Sequence, residues 1–322
     1  MLLEGQILDF YEIKIHTLDI LFLVDMPPYL KIIKPETLSL LANLELRARL
    51  VVEGFITGLH KSPYHGFSVE FAEHRQYMPG DEIKHIDWKV LGKTDRYYVK
   101  QYEEETNLKS YLLLDISGSM QYGSGSITKM NYATYLAASL AYLMLKQRDS
   151  VGMALFAEKI IKYIPPRSVQ TYLIHLLREL EQLTPQGETN ISPAFHTLAE
   201  RIKRRGLIII ISDLFDKQER IIAGLKHFRH KKHEVLIFHI LDPFEFSFGF
   251  SKEAIFTDLE TREEVRTLPW HIRREYRRQV QEMITGYQKF CGDNRIDYVV
   301  LNTETPFDKA LMEYLIKRKR LH

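Results

Sequence analysis

From Tyr111 onward, short runs that are apolar at nearly every position alternate with longer stretches that are apolar only every third or fourth residue. The runs are YLLLDI (111–116), VGMALF (151–156), GLIIIIS (206–212), EVLIFHIL (234–241) and IDYVVLN (296–302), with a shorter edge candidate in KIIKYIP (159–165). Between them lie MNYATYLAASLAYLMLKQ, VQTYLIHLLRELEQL, SPAFHTLAERIKRR and KQERIIAGLKHFRH, each with helical apolar spacing. Strands this apolar must be covered on both faces. The pattern therefore predicts an α/β fold: a mostly parallel central sheet flanked by helices. A stretch from about Asp242 to Trp270 interrupts the alternation before the helix HIRREYRRQVQEMITGYQKF.

Upstream the pattern differs. Residues 36–57 read as a helix, with Leu38, Leu41, Leu44, Leu46 and Val51 near helical spacing, and GLHKSPYHG breaks it. From Gly66 to about Leu108, strand-like and turn-like pieces alternate, with PGDE as a turn, which predicts a small β-rich part. No linker composition separates it from the alternating region that begins at Tyr111. The apolar stretch LDILFLVDMPPYLKII near the N-terminus is interrupted by Asp19, Asp25 and two prolines. It falls short of the roughly 20 apolar residues of a spanning helix. It also lacks the basic flank and cleavage site of a signal peptide. The expected organisation is a peripheral extension (1–35), a helix and β-rich part (36–108) and an α/β domain (109–322) with an insertion near 242–270.

Bulk properties change this picture little. Three hundred and twenty-two residues suffice for a large buried core, and a net charge of +2 gives no argument for a polyanionic partner. The single cysteine, Cys291, excludes an intrachain disulfide and fits a reducing, cytoplasmic setting.

The chemistry gathers at the strand ends. In an open parallel sheet, ligands bind beyond the carboxyl ends of the strands, where the strand order reverses. Asp115 leaves YLLL and Asp213 leaves GLIIIIS at that edge, and Thr189 sits in a loop before another helix. With Ser117 and Ser119 this makes two carboxylates and three hydroxyls. Hard oxygen donors suit magnesium, manganese or calcium better than zinc.

Asp115, Ser117 and Ser119, then Thr189, then Asp213, resemble the metal-ion-dependent adhesion site of von Willebrand factor A domains in order and approximate spacing. Residues from about 36 to 320 resemble the domain-of-unknown-function 58 family more closely. The family's typical opening SGLHxSPxxGxSVEFxEHRxYxPGDxxxxIDWKV reads here TGLHKSPYHGFSVEFAEHRQYMPGDEIKHIDWKV. Further matches are DRYYVKQYEEET, LLLDISGSM, RRGLIIIISDL and HILDPFE. The resemblance implies a von Willebrand factor A-like Rossmann fold holding a divalent ion, Mg2+ or alternatively Mn2+ or Ca2+, at those five residues. It also implies a partnership with a MoxR-type AAA+ ATPase, or its client, in chaperone-like maturation of other proteins. The expected function is that of a non-enzymatic, metal-dependent protein-interaction module, with no nucleic-acid partner and no membrane span.

The competing enzymatic reading is magnesium-dependent phosphoryl transfer with Asp115 as nucleophile. It meets two objections: Ser117 stands where a second carboxylate acts as general acid in such enzymes, and no lysine is obviously placed to balance the phosphate charge. A serine hydrolase is disfavoured because DISGSM is not a Gly-x-Ser-x-Gly elbow and no histidine is implied as its base. QYGSGSITK lacks the ending of a P-loop and reads as a flexible loop above the metal site. His60 and His65 read as turn residues. Arg75, Asp81, Asp87 and Trp88 read as a packing and ion-pair network, and the basic runs RREYRR (273–278) and KRKR (317–320) as solvated faces.

Overall fold

The computed structural model describes residues 43–59, 74–77, 97–100, 109–185, 191–250, 254–257 and 264–321, with isolated positions at 35, 38, 88, 91 and 92. The helix expected over 36–57 is present as α1 (Leu44–Leu59). Two short antiparallel strands come next, β1 (His74–Gln76) and β2 (Tyr98–Lys100). The continuous part opens with β3 (Lys109–Asp115), a single 3-10 turn at Gly118–Gln121, and α2 (Lys129–Lys146). Beyond these lie β4 (Ser150–Phe156), β5 (Ile160–Arg167), α3 (Tyr172–Glu181) and α4 (Ile191–Arg201). They are succeeded by β6 (Leu207–Ser212), α5 (Gln218–His230), β7 (Glu234–Leu241) and the short α6 (Pro243–Ser247). The chain closes through the hairpin strands β8 (Ala254–Thr257) and β9 (Glu264–Thr267), α7 (Pro269–Asp293), β10 (Asp297–Asn302) and α8 (Phe307–Lys319).

Six strands form the central sheet in the order β10-β7-β6-β3-β4-β5, all parallel except the edge strand β5. This is the α/β architecture expected from the sequence, a mostly parallel central sheet flanked by helices. The chain first moves from β3 outward to β5, then returns to the other side of β3 with β6, so the switch point lies between β3 and β6. Strand β5 tolerates Pro165 and Pro166 because an edge strand has one unpaired side.

The unbroken apolar runs are explained by two cores. Leu112, Leu114, Ile209, Ile211, Leu236 and Phe238 point to one layer, filled by α1, α2, α3 and α8. Their neighbours Tyr111, Leu113, Ile208, Ile210, Val235 and Ile237 point to the other, filled by α4, α5 and α7. Alternate side chains on opposite faces are thus equally buried. Through Val52 and Phe55, α1 joins the first core and is part of the same packed body.

One expectation about charge and one about packing are corrected. In the KRKR run, Lys317 is buried and paired with Glu234 (3.0 Å) and Asp297 (2.8 Å), and Arg318 binds buried Asp149 at 2.7 Å. These cations fasten α8 to the sheet ends instead of forming a solvated face. Trp88 is 59% exposed rather than packed in a network. Arg75 lies on β1, while Asp81, Asp87, His60 and His65 lie outside the described residues.

Candidate metal centre

The last residue of β3 is Asp115, fully buried, with both oxygens engaged. One accepts the Ser117 backbone N–H at 2.9 Å and the other the Ser212 hydroxyl at 2.6 Å, so β6 reaches across the switch point to hold it. The turn after Ile116 brings the Ser117 and Ser119 hydroxyls within 3.1 Å of each other, with Ser117 buried and Ser119 half-buried. On the adjoining strand, Asp213 comes directly after Ser212 and is also buried. The chain then turns sharply at Leu214, whose φ of 53° is a strained value for a branched, buried side chain. The Leu214 N–H closes this turn on the Ser212 hydroxyl at 2.9 Å.

Four of the five sequence-derived residues therefore occupy one rim. Thr189 lies outside the described residues, but Ile191, which opens α4 two positions later, donates its backbone N–H to Asp216 at 3.0 Å. The start of α4 is thereby fixed beside the loop that leaves β6.

Sequence reasoning missed a lysine. Lys129, the first residue of α2, places its buried ammonium 2.7 Å from Asp213 and 2.7 Å from Glu245 on α6. The ammonium also lies 4.7 Å from the Phe215 ring centroid. A cation at a helix N-terminus opposes the helix dipole, so its position there depends on these two carboxylates. Burial alone would lower the Lys129 pKa, but Asp213 and Glu245 together outweigh it and raise the value. A lysine thus stands at this rim, beside Asp213 and Glu245, where none was obvious from the sequence.

Glu245 is held by a second device. Asp242 and Glu245 form a capping box at α6, with the Asp242 N–H donating to Glu245 at 2.6 Å and the Phe244 N–H to Asp242 at 2.8 Å. Asp242 also accepts from the Ser124 N–H (2.8 Å) and hydroxyl (2.5 Å), which ties the QYGSGSITK loop to α6. The signal was present in DPFE, whose Asp-x-x-Glu spacing is that of a capping box.

Behind the rim, His239 donates from Nε2 to the Asp213 carbonyl at 2.7 Å, so its Nδ1 accepts from the Tyr298 hydroxyl. Burial pushes the imidazole down to about 4, and it is neutral near pH 7. With both nitrogens engaged, it serves as a brace for Asp213 and has no free nitrogen for Ser117 or Ser119.

The electrostatics favour a further cation. Burial, and after it the nearby charge of Asp213, raises Asp115 to about 7, against the pull of its hydrogen bonds. Burial likewise raises Glu245 despite Lys129. Asp213 and Glu245 thus share a single ammonium, while Asp115 has no cation partner among the described residues. The donor chemistry, carboxylate and hydroxyl oxygens without thiol or imidazole, fits a hard divalent ion. Asp115, Ser117, Ser119 and Asp213 would hold it, directly or through water, with Thr189 as the fifth donor implied by the resemblance.

The profile of the family described as protein of unknown function DUF58 matches residues 73–285. The chain belongs to the DUF58 family. Curated relatives of this DUF58 protein are uncharacterized proteins of Mycobacterium tuberculosis and Mycobacterium bovis. Each is 26% identical over 235 residues, which cover 70% of this chain and 72% of theirs. Among solved structures, the conserved hypothetical protein BatB from Bacteroides thetaiotaomicron is 19% identical, with a TM-score of 0.46, over 65% of this chain and 99% of that one. An aerotolerance-related membrane protein from Bacteroides fragilis is 18% identical, with a TM-score of 0.42, at the same coverages. Among the described residues of the DUF58 chain, no helix is long and apolar enough to cross a membrane.

Proposed function

We propose that this DUF58 protein is a non-enzymatic, metal-dependent protein-interaction module. It would act in the cytoplasm with a MoxR-type AAA+ ATPase, or its client, in the maturation of other proteins. The observation that carries the reading is the buried pair Asp115 and Asp213 at the switch point, fronted by the Ser117 and Ser119 hydroxyls. Such a site is strained by its own negative charge, and a magnesium ion would relieve it. The bound ion would supply an open coordination position for a partner's carboxylate. Asp115 and Asp213 hold their orientation through Ser212, Lys129 and His239, while the half-buried Ser119 marks the side open to a partner.

Lys129 favours a second reading, phosphoryl transfer, because it brings a positive charge to the site. Two features weigh against it. Asp115 is fully buried with both oxygens engaged, a poor posture for in-line attack, and the Lys129 charge is already shared by two carboxylates. Release of phosphate from simple phosphate esters, abolished by Asp115→Asn, is the outcome that would favour the enzyme.

The interaction reading is tested by capture of a purified MoxR-type ATPase on immobilised protein, with magnesium or with chelator. Capture is expected with magnesium and lost with chelator and in Asp115→Asn. Equal recovery under all three conditions contradicts metal-bridged recognition.

A further inference from the structure

On the outer side of α7 lies a groove of about 510 Å³. Trp270, Arg274, Arg277 and Gln281 all line it, and their spacing of four, three and four residues puts them on one stripe of the helix. Phe246 of α6 and Val280 supply apolar wall on the inner side.

The arginines of this segment do not share one role. Arg273 is half-buried and donates to the carbonyls of Phe248 (3.1 Å) and Phe250 (2.5 Å), which fixes the loop after α6 to the helix. Arg278 is paired with Glu275 and with Glu282 at 2.5 and 2.6 Å. Arg274 and Arg277 are exposed and have no ion pair or hydrogen bond among the described residues. Two guanidiniums without a partner among the described residues, one turn apart, thus follow along the helix from an indole that is 48% exposed.

We propose that this groove is a docking site for an acidic peptide segment of a protein partner. Carboxylates of the peptide would pair with Arg274 and Arg277, and an apolar side chain would seat between Trp270 and Phe246. Guanidinium forks match carboxylates in pairs, and aromatic and arginine side chains are the groups that anchor peptide contacts. A nucleic acid fits less well. Phe246 and Val280 give the groove an apolar floor that suits a peptide's apolar side chain, whereas a continuous phosphate backbone would find polar partners only along the Arg274 and Arg277 edge. The groove needs no metal ion, so it is independent of the function proposed above. It nonetheless shares α6 with that site: Glu245 faces Lys129 while the adjacent Phe246 lines the groove.

The test uses the whole chain carrying Trp88→Phe, which leaves Trp270 as the one tryptophan. The probe is a short fluorescein-labelled peptide of glutamates interrupted by leucines, monitored by anisotropy in low salt with chelator present. A second, unlabelled sample of the peptide is monitored by the Trp270 emission. Saturable binding is expected, with a shift of the indole emission, and replacement of the glutamates by glutamine abolishes it. The double variant Arg274→Glu, Arg277→Glu is expected to weaken binding by at least about tenfold. The charge-matched control Lys289→Glu, Lys309→Glu, at exposed positions away from the groove, leaves it nearly unchanged. Binding that is absent, or equal in the groove and control variants, overturns the proposal. So does an oligothymidylate that binds more tightly than the peptide, with a steep salt dependence, since it assigns the groove to nucleic acid.

Discussion

Replacing Lys129 by methionine is expected to cost the metal-free protein about 3–5 kcal/mol near neutral pH, as is typical when one partner of a buried ion pair is removed. Methionine keeps most of the side-chain volume, so the loss reports charge and not a cavity. Asp213 and Glu245 then remain buried without their shared ammonium, and the α2 start loses its link to α6. The second substitution Glu245→Gln in the Lys129→Met background is expected to recover part of the loss. It removes one of the stranded charges while the capping box keeps an acceptor. Urea unfolding of the two single variants and the double variant in chelator measures this coupling. A loss below about 1 kcal/mol for Lys129→Met would mean that the pair is no stronger than a surface ion pair.

The second large effect is a pH dependence of opposite sign to the usual carboxylate case. Asp115 ionises near 3.8 in an ordinary setting but only at about 7 in the fold, chiefly through burial. Between those values the folded state retains a proton that the unfolded chain has released. Stability from this group is therefore complete below about pH 4 and is lost as pH rises to about 7, by an amount on the order of 4 kcal/mol. Glu245, also raised by burial, works in the same direction. Asp115→Asn keeps an acceptor for the Ser117 N–H and carries no charge. Measured in chelator, the variant is expected to gain on the parent protein steadily from pH 4 to 7, then to keep a constant lead. Parallel stability curves for the two proteins would contradict the burial of an ionising Asp115. Magnesium is expected to erase the difference at pH 8, because a bound cation favours the ionised carboxylate.

How much of this was legible beforehand depended on the range of the interactions. The strands of the sheet were readable because both faces are buried, so YLLLD and LIIIIS carry no polar alternation. Asp115 and Asp213 were readable because a carboxylate directly after such a run must sit at the sheet's carboxyl edge. Lys129 was not. It precedes the apolar face of α2 and looks like a solvated helix end, while its partners lie 84 and 116 residues further along the chain. Local pattern has no access to pairings of that span. The same holds for Ser212, which reads as the last residue of a strand but orients Asp115, and for Lys317 and Arg318, whose partners come from other strands and loops. The charge runs misled for one reason: sequence gives the sign of a side chain but not the direction it faces. RREYRR divides on the same principle, with Arg273 turned inward to carbonyls and Arg274 turned out.

The central claim, that the rim of β3 and β6 holds a divalent ion, is tested most directly by calorimetric titration of magnesium into chelator-stripped protein. Asp115→Asn is the comparison, because it keeps an acceptor for the Ser117 N–H while removing the charge. Saturable binding at a single site, lost in Asp115→Asn while the variant still unfolds cooperatively in urea, is the expected result. Magnesium binding that is absent from the parent protein, or unchanged in Asp115→Asn, would contradict it.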